Sequence, residues 1–259
     1  MSPAPAAEGP ASARALLPPA KAAGPGSGSV AASPEPASDV AAEVVAANLA
    51  AVRRRIEAAG GDPGRITVVA VTKGFGPGMV AAAAAAGLAE LGENYAQELV
   101  AKAASAPDGV RWHFLGPVQR NKVAMLAPHV HLWQALDRLV AGEAIAARQP
   151  GAAVLVQVDV NQGIGKPGCH PNDTAPLVGR LREAGLDVRG LMAVGPAGDP
   201  ELARPGFRLL AALAGELGLA ELSMGMSEDL EVAVQEGATM VRVGRALFGP
   251  RPGTLGLRR

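Results

Sequence analysis

Lys73 is the first residue whose position could do chemistry. It stands in Val71-Thr72-Lys73-Gly74-Phe75, directly behind the apolar run Ile66–Val71. An amine at the end of a buried strand is partly desolvated, which lowers its pKa and frees it to attack a carbonyl. Taken alone, the same position also suits an ordinary loop lysine. Two further segments suit an anion. Ser223-Met224-Gly225-Met226-Ser227 sets two hydroxyls about a glycine, ahead of Glu228-Asp229. Arg242-Val243-Gly244-Arg245 joins cations to a glycine that lets backbone approach a ligand closely. Ser227 would equally serve as the N-cap of the next helix. Asn94 and Tyr95 follow Gly92-Glu93 and could donate hydrogen bonds, or simply form a turn. His113 alternates with Trp112 and Phe114, so it faces the opposite side of its strand. A lone histidine there is more often a satisfied core residue than a catalyst.

These groups need a scaffold, and the chain alternates strand and helix patterns. A helix is predicted from near Asp39, with Val44, Val45, Leu49, Val52 and Ile56 spaced three and four apart, ending at Gly60-Gly61. Strands are predicted over Ile66–Val71, Leu91–Tyr95, Val110–Leu115, Leu132–Ala135, Ala153–Val160, Val188–Val194, Leu222–Met226 and Met240–Val243. Helices are predicted between them, over Met79–Ala86, Ala96–Ala104, Gln119–Leu126, Leu139–Arg148, Thr174–Ala184, Phe207–Leu217 and Asp229–Glu236. Near-continuous apolar strands with helical crossovers imply a parallel sheet covered on its outer face. Eight such units fit a single closed (β/α)8 barrel with an extra N-terminal helix. A doubly wound dinucleotide fold would want GxGxxG after the first strand, and Thr72-Lys73-Gly74-Phe75-Gly76 lacks it.

Composition narrows the classes. Of 259 residues, 49% are apolar but only 3% aromatic, so the core is built from Ala, Val and Leu. Lys plus Arg balances Asp plus Glu at 24 each, which gives no basic footprint for nucleic acid. One cysteine, Cys169, permits no internal disulfide and no cysteine-pair metal site. The longest apolar run, Met79–Leu88, is too short to cross a bilayer. The N-terminus lacks a signal-peptide pattern, so the chain reads as cytoplasmic, with no membrane partner. All but eight of residues 1–38 are Ala, Pro, Gly or Ser, which predicts a disordered tail. The barrel is then expected over 39–252, with a short tail at 253–259.

Barrel enzymes place function at the carboxyl ends of their strands, and phosphate commonly in the loops after strands seven and eight. Lys73 falls at the end of the first strand, and the two serine- and glycine-bearing segments at the last two. An amine with a phosphate cup across the mouth fits a phosphorylated aldehyde. Pyridoxal 5′-phosphate answers that description. A phosphosugar aldolase does so too, although no acidic or basic partner in mid-barrel is evident.

VAVTKGF around Lys73, GENYAQE from Gly92, WHFLGPVQRNK from Trp112, RGLMAV from Arg189, LSMGMSEDLEVAV from Leu222 and MVRVGRALFG from Met240 together resemble the pyridoxal phosphate homeostasis proteins. The resemblance covers roughly residues 40–252 and implies a fold like the N-terminal barrel of alanine racemase. It implies that Lys73 carries the cofactor as a Schiff base. It further implies that Ser223, Ser227 and the backbone near Gly244 hold the phosphate, and that Asn94 and Arg242 line the cofactor. Lys166 matches a lysine many members carry near the site. Phe75 stands where some members have a second lysine, so transfer through that residue does not carry over. The implied function is to buffer or deliver the cofactor in vitamin B6 homeostasis, with apo-enzymes that use it as partners.

The competing reading is a cofactor-dependent amino-acid racemase. Two-base racemisation needs an acid/base group on each face of the substrate carbon. Racemases of this barrel type draw one base, a tyrosine, from an additional β-domain. Tyr95, the one tyrosine, follows the second strand, and residues 250–259 are too few for a domain. The sequence therefore favours a carrier over an enzyme.

Overall fold

The computed structural model describes residues 36–161 and 167–251. The expected tail over 1–38 lies almost wholly outside them, as do Lys166 and the segment 253–259. Helix α1 spans Pro36–Ala58. Eight parallel strands follow in chain order: β1 (Thr67–Val71), β2 (Glu90–Glu93), β3 (Arg111–Phe114), β4 (Val130–Leu136), β5 (Ala153–Gln157), β6 (Asp187–Met192), β7 (Glu221–Ser223) and β8 (Met240–Val243). They close as β1-β2-β3-β4-β5-β6-β7-β8, with β8 pairing back on β1. The crossovers carry α2 (Pro77–Ala85), α3 (Ala96–Ala103), α4 (Arg120–Leu126), α5 (Leu139–Ala146), α6 (Thr174–Glu183), α7 (Arg204–Glu216) and α8 (Leu230–Gln235). A short α9 (Arg245–Phe248) follows β8. The expected barrel with its extra helix is thus the observed fold.

Two apolar layers hold it. Between strands and helices lies the large core, which takes Trp112, Phe114, Trp133, Leu191 and Phe207. Inside the barrel a smaller cluster joins Val69, Leu132, Ala135, Ala153, Leu155, Met192 and Met240. The alternation of a strand assigns successive residues to the two layers, as Leu132 and Trp133 show. Helix α1 packs through Val45, Leu49, Val52 and Ile56, all buried, whereas Val44, expected in the same stripe, turns to the outer face and is exposed.

Several expected boundaries move. Helix α1 begins at Pro36, before Asp39. Asn94 and Tyr95 leave the strand after Glu93, and Met224 and Met226 leave it after Ser223. Val158 keeps only an isolated bridge to Cys169. Each of these overshoots is at a carboxyl end, where the chain turns into the loops of the mouth after one or two further contacts, such as Met224 N to Met240 O at 3.1 Å.

Candidate functional site

Thr72, Lys73 and Gly74 are held from both sides. Thr72 is buried, and its hydroxyl donates to Glu93 Oε1 at 2.8 Å. Its carbonyl accepts from Lys102 Nζ at 2.8 Å. Gly74 has φ of 77°, which permits the turn, and its N–H donates to Glu98 Oε2 at 2.9 Å. Lys102 Nζ also forms an ion pair with Glu93 and reaches Glu98 at 3.1 Å. Lys102 and Glu93 are both buried, at 4% and 0% exposure. Burial pushes the Glu93 carboxyl up, against the hydrogen bonds from Lys102 and Thr72. The peptide carrying Lys73 is thus fixed by an internal charge network linking β1, β2 and α3.

Lys73 itself is half-buried. Desolvation lowers its amine pKa most, Arg251 and Arg242 lower it further, and Glu93 opposes them. The result is an amine with more of its neutral, nucleophilic form near pH 7 than a surface lysine has. Asn94 is half-buried just beyond β2, where its N–H donates to Glu93 Oε2 at 3.3 Å.

Arg242 projects from β8 into the barrel and is 5% exposed. Its Nη1 donates to the Ser223 carbonyl and hydroxyl, both at 2.7 Å, and its Nη2 donates to Ala193 O at 2.8 Å. Its partners are neutral, and among the described residues no carboxylate pairs with it. Burial pushes its pKa down to about 10, with Asp229 opposing from a distance. A buried cation with neutral partners favours an incoming anion.

The two expected serines have different jobs. Ser223 is fully buried, and its hydroxyl donates to Gln134 Oε1 at 2.7 Å while accepting from Arg242. A phosphate contact there would displace one of these partners. Ser227 is half-buried at the mouth. The expectation that it caps the next helix is corrected: α8 starts at Leu230 behind Asp229, and Ser227 Oγ instead accepts from Ala246 N at 3.3 Å. That contact leaves the hydroxyl proton free to point at a bound anion. Gly225, at φ of 88°, turns the intervening chain so that its carbonyl receives Arg242 N at 3.0 Å.

Gly244 lies beside Lys73's strand, not across the mouth from it, because β8 pairs with β1. A Cβ at Gly244 would stand 3.2 Å from Val71 O. The Gly244 turn and the Lys73 amine are therefore neighbours on the closing edge of the barrel. Phe75 is buried and packs against Phe248, with ring centroids 5.5 Å apart. His113 is the core residue the alternation predicted: its ring nitrogens meet Gln134 Nε2 at 2.6 Å and Glu90 Oε2 at 2.7 Å.

Sequence reasoning missed Lys102, Gln134 and Glu98. A signal for the first was present. Lys102 continues the inward stripe of Ala96 and Leu99 at a spacing of three, and Glu98 stands four residues before it. Gln134 carried no such mark, since its partners come from three distant strands.

No helix among the described residues is long and apolar enough to cross a membrane. Residues 40–252 match the family described as "Alanine racemase, N-terminal domain". A pyridoxal phosphate homeostasis protein of Pseudomonas aeruginosa is 40% identical over 219 residues, 81% of this chain and 95% of that one. Another, of Deinococcus radiodurans, is 43% identical over 208 residues, 79% of this chain and 99% of the relative. The structure of PipY from Synechococcus elongatus with PLP bound superposes at a TM-score of 0.68 and 30% identity, covering 79% of this chain and 100% of PipY. With its closed barrel, the match across 40–252 and relatives alike over nearly their whole length, this chain belongs to the pyridoxal phosphate homeostasis protein family.

Proposed function

We propose that this protein binds pyridoxal 5′-phosphate at the carboxyl mouth of the barrel, as a Schiff base to Lys73, and buffers or delivers it within the cell. The observation that carries the reading is the Lys73 amine, lowered in pKa and pinned through Thr72 and Gly74, beside the linked loops that bear Ser227 and Gly244. The residues fit the group. An aldehyde needs a neutral amine, an anionic phosphate needs donors and a close backbone, and Arg242 is a buried cation that pairs with no carboxylate among the described residues.

The cofactor, when bound, supplies the aldehyde carbon and an electron sink. This chain supplies the rest. Lys73 would supply the neutral amine that joins the aldehyde carbon, with water as the leaving group. Ser227 donates its hydroxyl to the phosphate, and the backbone at Gly244 approaches it. Ser223 holds Arg242, and Arg242 in turn keeps positive charge under the ligand. Asn94 lines the rim beyond β2. Clients would be apo-enzymes that use the same cofactor.

The non-enzymatic reading is supported by the one tyrosine. Tyr95 is 60% exposed and N-caps α3, so it is poorly placed to be the second base of a racemase. The purified protein is expected to absorb near the visible edge and to lose that band on borohydride reduction. Peptide mapping should find the reduced adduct on Lys73. An adduct confined to Lys122 or Lys166 sinks the assignment. In deuterated water, free L-alanine should show at most trace Cα exchange. Rapid exchange with inversion, abolished by Lys73→Ala, would restore the racemase.

A further inference from the structure

The eight βα units account for both phosphate-bearing loops, yet neither loop is held by its own unit alone. The loop between β7 and α8 carries Ser227, and α9 follows Gly244. They touch each other where Ser227 Oγ accepts from Ala246 N at 3.3 Å, and where Arg245 Nη1 meets Glu228 Oε1 at 2.8 Å. The second of these contacts is solvent-exposed, so it holds the pair weakly.

Helix α1, which belongs to none of the eight units, grips both. Arg55 Nη2 donates to the Ser227 carbonyl at 2.8 Å. The same guanidinium binds Glu231 in two places, Nε to Oε1 at 2.6 Å and Nη2 to Oε2 at 2.8 Å. Glu231 lies in the first turn of α8. On the same flank, about two turns earlier, Asn48 Nδ2 donates to Leu247 O at 2.8 Å, inside α9. Both side chains are half-buried, while Val45, Leu49, Val52 and Ile56 seat the helix beside them. The planar fork of arginine meets both carboxylate oxygens and the carbonyl together; a lysine's donors diverge from one nitrogen and lack that two-pronged match. Glu231 and Arg55 strengthen each other. The arginine lowers the carboxyl pKa, and the carboxylate raises that of the guanidinium.

We infer that Arg55 and Asn48 are positioning residues for phosphate. Helix α1 fixes the separation of the Ser227 loop from the Gly244 backbone, and through it the preference for the phosphorylated over the unphosphorylated aldehyde. The inference rests on the reading of Ser227 and Gly244 as the phosphate-binding pair. It assigns the N-terminal helix a role in ligand selection, in addition to covering the barrel wall.

The test compares affinity for pyridoxal 5′-phosphate with affinity for pyridoxal, in the full chain. The variants are Arg55→Met, Arg55→Lys, Asn48→Ala and Ser227→Ala. Arg55→Met is expected to weaken the phosphorylated ligand about tenfold, the scale of one lost charge-assisted hydrogen bond, and pyridoxal less than about twofold. Asn48→Ala should move the ratio in the same direction by about threefold, as a neutral bond would. Arg55→Lys should recover only part of the preference. The phosphorus resonance of the bound cofactor should shift in each, a readout that loss of fold stability alone would not produce. Equal losses for both ligands in Arg55→Met and Asn48→Ala would overturn the inference. So would an unchanged ratio in both while Ser227→Ala shifts it, because the phosphate pair would then stand without its brace. An unchanged ratio in Ser227→Ala would mean that phosphate binds elsewhere, and the inference would fall with that reading. If Arg55→Met does not fold, Arg55→Lys and Asn48→Ala decide the matter by the same ratio.

Discussion

Replacing Lys102 with methionine removes the charge that holds the Lys73 peptide while keeping the apolar stem. Lys102 is 4% exposed, and its amine serves Glu93, Glu98 and the Thr72 carbonyl. Glu93 is fully buried and would lose its ion-pair partner, keeping Thr72 Oγ1 at 2.8 Å and the Asn94 N–H at 3.3 Å. Breaking one side of a buried ion pair costs about 3–5 kcal/mol. For a domain of this size, about 2–4 °C of melting temperature accompanies each kcal/mol, so a loss of about 3 kcal/mol lowers the midpoint by roughly 6–12 °C.

The pH dependence follows from Glu93. Burial already raises its carboxyl pKa above the unfolded value, and loss of Lys102 raises it further. A carboxyl with a raised folded pKa binds more protons folded than unfolded, so stability falls as pH rises from the unfolded pKa through the folded one. The gap between parent and Lys102→Met should therefore widen with pH over that interval, and be larger at pH 7.5 than at pH 5. Thermal melts followed by circular dichroism at both values would read it. Glu93→Gln with Lys102→Met should recover at least half the loss, because neither charge is then stranded. A midpoint change below about 2 °C, or a double variant no better than the single one, would refute the assignment of this network as buried and coupled.

Three further outcomes follow. Ser223→Ala should weaken pyridoxal 5′-phosphate and pyridoxal alike, since its hydroxyl serves Arg242 and Gln134; a loss confined to the phosphorylated ligand in equilibrium dialysis would place it in the phosphate cup instead. The rate of covalent capture, followed by stopped-flow absorbance, should rise with pH with a midpoint below the ordinary lysine value of about 10.4, because burial and the two arginines lower the amine; a midpoint at or above that value contradicts the desolvation argument. Deleting residues 1–35, whose composition offers no core and no motif, should leave melting temperature and absorption spectrum unchanged; a large fall in either would show that the segment takes part.

The barrel was legible because its signal is local. The strands are short runs, several of them rich in β-branched residues as Thr67–Val71 is, and glycines such as Gly185, Gly218 and Gly237 end the intervening helices. Strand ends were misread where apolar residues serve the mouth, as at Val194 and Met226, both exposed. Periodicity reports burial, and it cannot separate a pairing residue from one lining a loop. The short α9 escaped because four residues make no periodic pattern. Lys73, Arg242 and Gly244 could be located because position at a carboxyl end already implies the mouth. The partners that hold them could not. Lys102 reaches Thr72 from thirty residues away, Gln134 reaches Ser223 from eighty-nine, and Arg55 reaches Ser227 from one hundred and seventy-two. Those contacts exist only once the barrel has closed.

The barrel interior also explains why Arg242 can remain charged without a carboxylate beside it. Its hydrogen bonds continue through Ser223 to Gln134, and from Gln134 to His113 and Glu90. Glu90, at the amino end of β2, is held down to about 2: burial opposes this, but the hydrogen bonds from His113 and Arg111 outweigh it. The interior is thus a polarised chain with a permanent anion at one end and a buried cation at the other. Ser223 and Gln134, which stand next to Arg242 in this chain, are neutral, so they orient dipoles without cancelling its charge. A carboxylate in place of Ser223 would satisfy the guanidinium better, and would leave the mouth less attractive to a phosphorylated ligand. With neutral partners among the described residues, the Arg242 charge is, on the proposed reading, available to an anion that enters beside Lys73.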